Sequence, residues 1–90
     1  MNRFKLGQTV ATPGALAAIE ASGESVSTYL NRHMSGDWGI VDAADARENE
    51  YAIIVKLRIM SVYLLQSGVR IWVITEADRS STCVLLPEEY

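Results

Sequence analysis

The segment Arg70-Ile71-Trp72-Val73-Ile74-Thr75-Glu76-Ala77-Asp78-Arg79-Ser80-Ser81-Thr82-Cys83-Val84-Leu85-Leu86 decides the fold of this chain. Two runs rich in β-branched residues flank Ala77-Asp78-Arg79-Ser80, whose short polar side chains suit a tight turn, so the segment predicts a β-hairpin. Pro87 ends it because proline has no N–H to donate, and Glu88-Glu89-Tyr90 is a short tail. Upstream, a period of two begins near Leu57. Arg58, Met60, Val62 and Leu64 oppose Leu57, Ile59, Ser61, Tyr63 and Leu65, and Gln66-Ser67-Gly68 turns the chain toward Val69. Three consecutive strands then form an antiparallel meander. Trp72 shares a face with Arg70, Ile74 and Glu76, taken as the less buried side, while Val69, Ile71 and Val73 face the helices. The opposite assignment satisfies the pattern almost as well.

The first half of the chain supplies those helices. Thr12-Pro13 is a helix start, with a capping hydroxyl followed by a residue whose missing N–H is no loss there, and Gly23 can supply a left-handed stop. This predicts a helix over about 13–22. Ser25 caps a second, with Val26, Tyr29, Leu30, His33 and Met34 on one face, ending by Ser35-Gly36. Gly36-Asp37-Trp38-Gly39 reads as a turn that folds its ring onto the core. Asp42 caps a third helix, with Asp45 in its first turn. Ile53-Ile54-Val55 fits either its last turn or the start of a strand. In residues 1–11, Phe4, Leu6 and Val10 share one parity, which suits a short edge strand or an extended lead-in.

Ninety residues, 49% hydrophobic and 21% charged, make a single domain over 1–90 with one core, and a second copy of the chain is one source of cover for its apolar surface. The net charge of −3 argues against a broad nucleic-acid-binding surface, though a local basic pocket remains open. Cys83 is the sole cysteine, so neither an intrachain disulfide nor a cysteine zinc site can form, and no cofactor or metal is expected. Met1 to Gly7 lacks the apolar core of a leader. The longest hydrophobic run, Tyr51 to Leu65, is broken by Lys56 and Arg58, so no membrane span and a cytoplasmic location are expected.

Several motifs together carry a resemblance: Thr12-Pro13-Gly14-Ala15-Leu16, Arg32-His33 with Gly36-Asp37-Trp38-Gly39, Glu48-Asn49-Glu50, and Ile71 to Ser80 with Leu85-Leu86-Pro87-Glu88-Glu89-Tyr90. The chain resembles, over nearly its whole length, a family of short hypothetical or plasmid-related proteins of bacterial plasmids and other mobile elements. That family brings no established activity. The chain departs from its pattern at Ile53-Ile54-Val55-Lys56, where relatives tend to have a charged helix end followed by glycine. The extra apolar side chains are expected to form a homodimer or partner surface.

Two functional classes follow. The first is a non-enzymatic accessory protein of a mobile element that binds a protein, a host-defence component among the candidates, through Trp38, Ile54, Trp72 and Asp78. The second is a metal-independent ribonuclease or toxin. Helices preceding an antiparallel sheet resemble, in topology only, the barnase-like and RelE-like ribonucleases, with His33, Arg79 and Thr82 as base, cation and hydroxyl. A histidine on an apolar stripe is more often a buried, hydrogen-bonded one, and Asp78 and Ser80 more often close a turn. Asp37, Asp42 and Asp45 match no metal-loop spacing. The expected fold is α+β: two or three N-terminal helices on a three- to four-stranded antiparallel meander, with binding favoured over catalysis.

Overall fold

The 70–86 hairpin is present in the computed structural model, which describes residues 2–90. Strands β2 (Ile59–Leu64), β3 (Arg70–Thr75) and β4 (Ser81–Leu85) form the meander, with Val62 opposite Trp72 and Val73 opposite Val84. A further strand, β1 (Gln8–Ala11), lies outside β4 and gives the order β1-β4-β3-β2.

The fold is α+β, but the sheet is mixed where an antiparallel one was expected: β1 runs parallel to β4, Gln8 opposite Ser81 and Ala11 opposite Val84. The reason lies in the connections. Thr12 still donates its N–H to the Val84 carbonyl at 3.0 Å, and Pro13 then turns the chain at once into the first helix. Because three helices and two strands intervene before β4, the connection is long enough for parallel pairing, which a hairpin could not provide.

The three helices are α1 (Pro13–Ala21), α2 (Val26–Met34) and α3 (Ala43–Val55). Each starts at the cap its sequence offers. Thr12 Oγ1 accepts from Ala15 N–H at 3.1 Å, Ser25 Oγ from Ser27 N–H at 3.3 Å, and Asp42 Oδ1 from Asp45 N–H at 2.8 Å. Ile53-Ile54-Val55 is the last turn of α3, stopped by Lys56 in the left-handed region at φ 57°.

The main core joins Ala15 and Ile19 of α1 and Tyr29 of α2 to Tyr63, Ile71, Val73 and Val84 of the sheet. Ile71 and Val73 therefore face the helices as preferred, with Trp72 on the other side. Val69 lies before β3 and is exposed. Ile74 is buried although it shares the Trp72 side. A second cluster joins Trp38, Ala52 and Ile59 to Phe4, Val41, Ala46 and Ile53.

β2 is an edge strand whose outward backbone groups would otherwise invite pairing with another chain. Asn49 of α3 serves one position completely, donating Nδ2–H to the Met60 carbonyl at 2.8 Å and accepting the Met60 N–H at 3.2 Å. Val62 is served by the 38–40 segment: its N–H donates to Trp38 O at 3.1 Å and its carbonyl accepts from Ile40 N–H at 2.8 Å. Asn49→Leu is expected to cost about 2 kcal/mol, since it strips both Met60 groups of their partner. Thermal unfolding at low and high protein concentration checks this, and a variant as stable and as soluble as the wild type would refute it.

Candidate functional site

His33 lies on the inner face of α2, where the stripe that buries Tyr29 also carries it over the sheet, and it is fully buried. Its Nδ1 sits 2.5 Å from Ser61 Oγ and its Nε2 2.9 Å from Thr75 Oγ1. Thr75 Oγ1 is 2.6 Å from Thr82 Oγ1, which donates to the Leu6 carbonyl at 2.8 Å. Each hydroxyl has one proton, so the direction of the chain follows from its end. Thr82 spends its proton on Leu6, Thr75 must donate to Thr82, and His33 must donate Nε2–H to Thr75. Nδ1 is then bare and accepts from Ser61. The histidine is held neutral in its Nε2–H form. Burial, with the nearby Arg79 charge, lowers its pKa from 6.5 to about 4.

Arg79 lies above this network at the β3–β4 turn, with φ 61°. Its Nη1 donates to Leu57 O at 2.7 Å and to Glu76 O and Ala77 O at 3.1 Å each, and its Nη2 donates to Ala52 O at 2.8 Å. The guanidinium thus binds the end of α3 to the turn. Phe4 lies between the two groups, its ring edge-on to His33 at 5.2 Å and under the Arg79 guanidinium at 5.7 Å. His33, Arg79 and Thr82 are therefore neighbours, but Phe4, Trp38 and the sheet enclose the imidazole, and Thr82 is fully buried. General base catalysis needs the imidazole within reach of a substrate proton, directly or through one water. Here both ring nitrogens are already occupied by buried hydroxyls.

The other candidates fall in different settings. Trp38 is only 6% exposed, its ring stacked near Phe4 and its Nε1–H donating to Glu50 at 3.0 Å, so it is a core residue and no surface anchor. Trp72 is half-buried under the edge of Tyr90. Asp78 is exposed and accepts the Ser80 N–H at 2.9 Å; its own turn bonds hold its carboxyl below the usual range. Ile54 is 80% exposed and has exposed Tyr51, Val55 and Leu57 around it. At 100° per residue, Tyr51, Ile54 and Val55 form a stripe opposite Asn49, Ala52 and Ile53. The C-terminal half of helix α3 is apolar on two faces, and only one of them is packed.

Reading by type and spacing passed over Ser61 and Thr75, which complete the His33 network. Their signal was nonetheless present. Both are polar residues in phase with core positions, Ser61 between Ile59 and Tyr63 and Thr75 following Ile71 and Val73, and a polar side chain at an inward strand position needs a buried partner. Among the described residues no three His, Cys, Asp or Glu side chains gather as a metal would require, and no helix is long and apolar enough to cross a membrane. Comparison with family models, with curated proteins and with solved structures finds no match to this chain.

Proposed function

We propose that this chain is a protein-binding module and that the outer face of α3 is its contact surface. The observation that carries the reading is the second apolar stripe of α3, Tyr51, Ile54 and Val55, continued by Leu57. A helix apolar on both faces is usually buried on both, and one apolar stripe pressed into a groove is a recurring mode of protein recognition. The motif resemblance supports service to a mobile element, with a host protein such as a defence component as the partner. A second copy of the chain is the competing occupant. The ribonuclease alternative is the weaker reading, because it needs His33 to meet a substrate from within the core.

Ile54→Asp tests the surface without disturbing the fold. Ile54 makes little buried contact, so the expected loss of unfolding free energy is only the penalty of a carboxylate in the last helical turn, about 1 kcal/mol or less. Binding is expected to fall by about a hundredfold, the effect of a charge placed in an apolar contact. Sedimentation velocity reads a dimer, and affinity capture from a bacterial host lysate reads a foreign partner. If the wild type stays monomeric and both chains capture the same proteins, the reading is refuted.

A further inference from the structure

A groove of about 430 Å³ opens between residues 3–5, the end of α3 and the β3–β4 turn. Arg3, Lys5, Lys56 and Arg79 line it, half of the eight basic residues of the chain, against the single carboxylate of Asp78. With the Glu50 carboxylate that pairs with Arg3 counted beside it, this region carries +2 while the whole chain carries −3, so the remaining surface carries −5. Such a contrast focuses a positive potential at one place.

The cations differ in what already occupies them. Arg3 makes a two-pronged bond to Glu50, at 2.7 and 2.9 Å. Arg79 serves the carbonyls at the end of α3, which accounts for its position, yet it has no carboxylate partner among the described residues. Those bonds use Nη1 and one Nη2 proton and leave Nε–H and the other Nη2 proton uncommitted. Lys5 and Lys56 also lack a carboxylate partner among the described residues. Lys56 moreover holds a left-handed position that glycine would occupy with less strain, so its side chain comes at a backbone cost. Phe4 and Ile53, both half-buried, supply apolar surface in the same groove.

We propose that this groove binds a phosphate-bearing small molecule of nucleotide size, its phosphate held by Lys5, Lys56 and Arg79 and its apolar portion resting on Phe4 and Ile53. The volume falls in the range of small-ligand sites, which run from about 300 to 1,000 Å³. A nucleic-acid polymer is disfavoured, because its further phosphates would meet the acidic remainder of the surface. Asp78, kept ionised by Ser80, opposes a second anionic group and favours a single phosphate. The site is separate from the outer face of α3 and does not depend on the protein-binding reading.

Amide-resolved NMR titration with adenosine monophosphate, inorganic phosphate and adenosine tests the assignment. Saturable shifts are expected at residues 3–5, 53–57 and 77–80, with the nucleotide binding more tightly than phosphate and adenosine binding weakest. Raising salt from about 50 to about 300 mM is expected to weaken binding severalfold. Lys5→Ala and Lys56→Gly should each weaken it about tenfold, the usual loss for one charged hydrogen bond, while Arg70→Ala changes nothing. Lys56→Gly removes charge where the backbone favours glycine, so its thermal midpoint should match or exceed that of the wild type. Shifts at every basic residue alike, no saturation at about 10 mM ligand, or an unchanged affinity in both lysine variants would overturn the proposal.

Discussion

His33→Ala is expected to cost about 4 kcal/mol, close to half the stability of a domain this size. Two effects combine. Removing the imidazole leaves a cavity beside Phe4, Trp38 and the sheet, and the hydroxyls of Ser61 and Thr75 lose their shared partner in a place no solvent reaches. An unpaired buried hydroxyl costs about 1–3 kcal/mol, and a vacated core site adds about as much again. Urea unfolding checks the number, and a loss under about 1 kcal/mol would show that the network contributes little. The same residue predicts a pH dependence. Its folded pKa of about 4 lies below the unfolded value of 6.5, so the unfolded chain takes up a proton first as pH falls. Stability is then complete above pH 6.5 and declines toward pH 4, by about 3 kcal/mol in all. His33 is the only histidine, so the upper part of that window belongs to it. Carboxyls held low by their hydrogen bonds, those of Glu24, Asp37 and Glu50, join only at lower pH. A flat stability between pH 6.5 and 5 would contradict the buried neutral histidine.

Gly39→Ala is expected to cost about 3 kcal/mol or more and to release Trp38 from the core. Gly39 has φ +77°, and a Cβ there would overlap the carbonyl oxygen of Val62, a backbone atom fixed in β2. The strain of a side chain at that φ adds to the overlap. The contact cannot relax locally, because the 38–40 segment is bonded to Val62 on both sides and so closes the sheet edge. Shifting it removes those bonds and the seat of the indole together. A fall in the thermal midpoint with a red shift in tryptophan emission is the expected record. Gly23→Ala and Gly68→Ala are the comparison, since a Cβ at either meets nothing within 4 Å and each should cost only about 1 kcal/mol from its positive φ. Equal losses at all three positions would remove the argument for Gly39.

The Gly36-Asp37-Trp38-Gly39 motif shows how far local reading reaches. Its turn character and the inward indole follow from residue types, and Asp37 supports it by accepting from Gly39 N–H at 3.1 Å and Arg32 Nε–H at 2.6 Å. That the next residues would close the β2 edge could not be seen, since Val62 lies more than twenty residues away. Trp38 taken as an anchor and Trp38 taken as a lid were both open from its type, and its burial against Ala52 and Ile59 favours the lid. Asn49 was equally opaque, because a polar residue within Arg47-Glu48-Asn49-Glu50 looks solvated until β2 is placed beside it.

The sequence by itself determined the three helices, through their caps and apolar stripes, and the β2–β3–β4 meander, through period-two patterning and turn residues. These depend on interactions between residues a few positions apart, which leave a periodic record. The direction of β1, the enclosure of His33 behind Phe4, the role of Arg79 at the end of α3 and the gathering of four cations in one groove were decided only by the tertiary structure. Each joins segments more than twenty residues apart in the chain. Such pairings follow from which surfaces can be buried together, and a local pattern carries no trace of the partner.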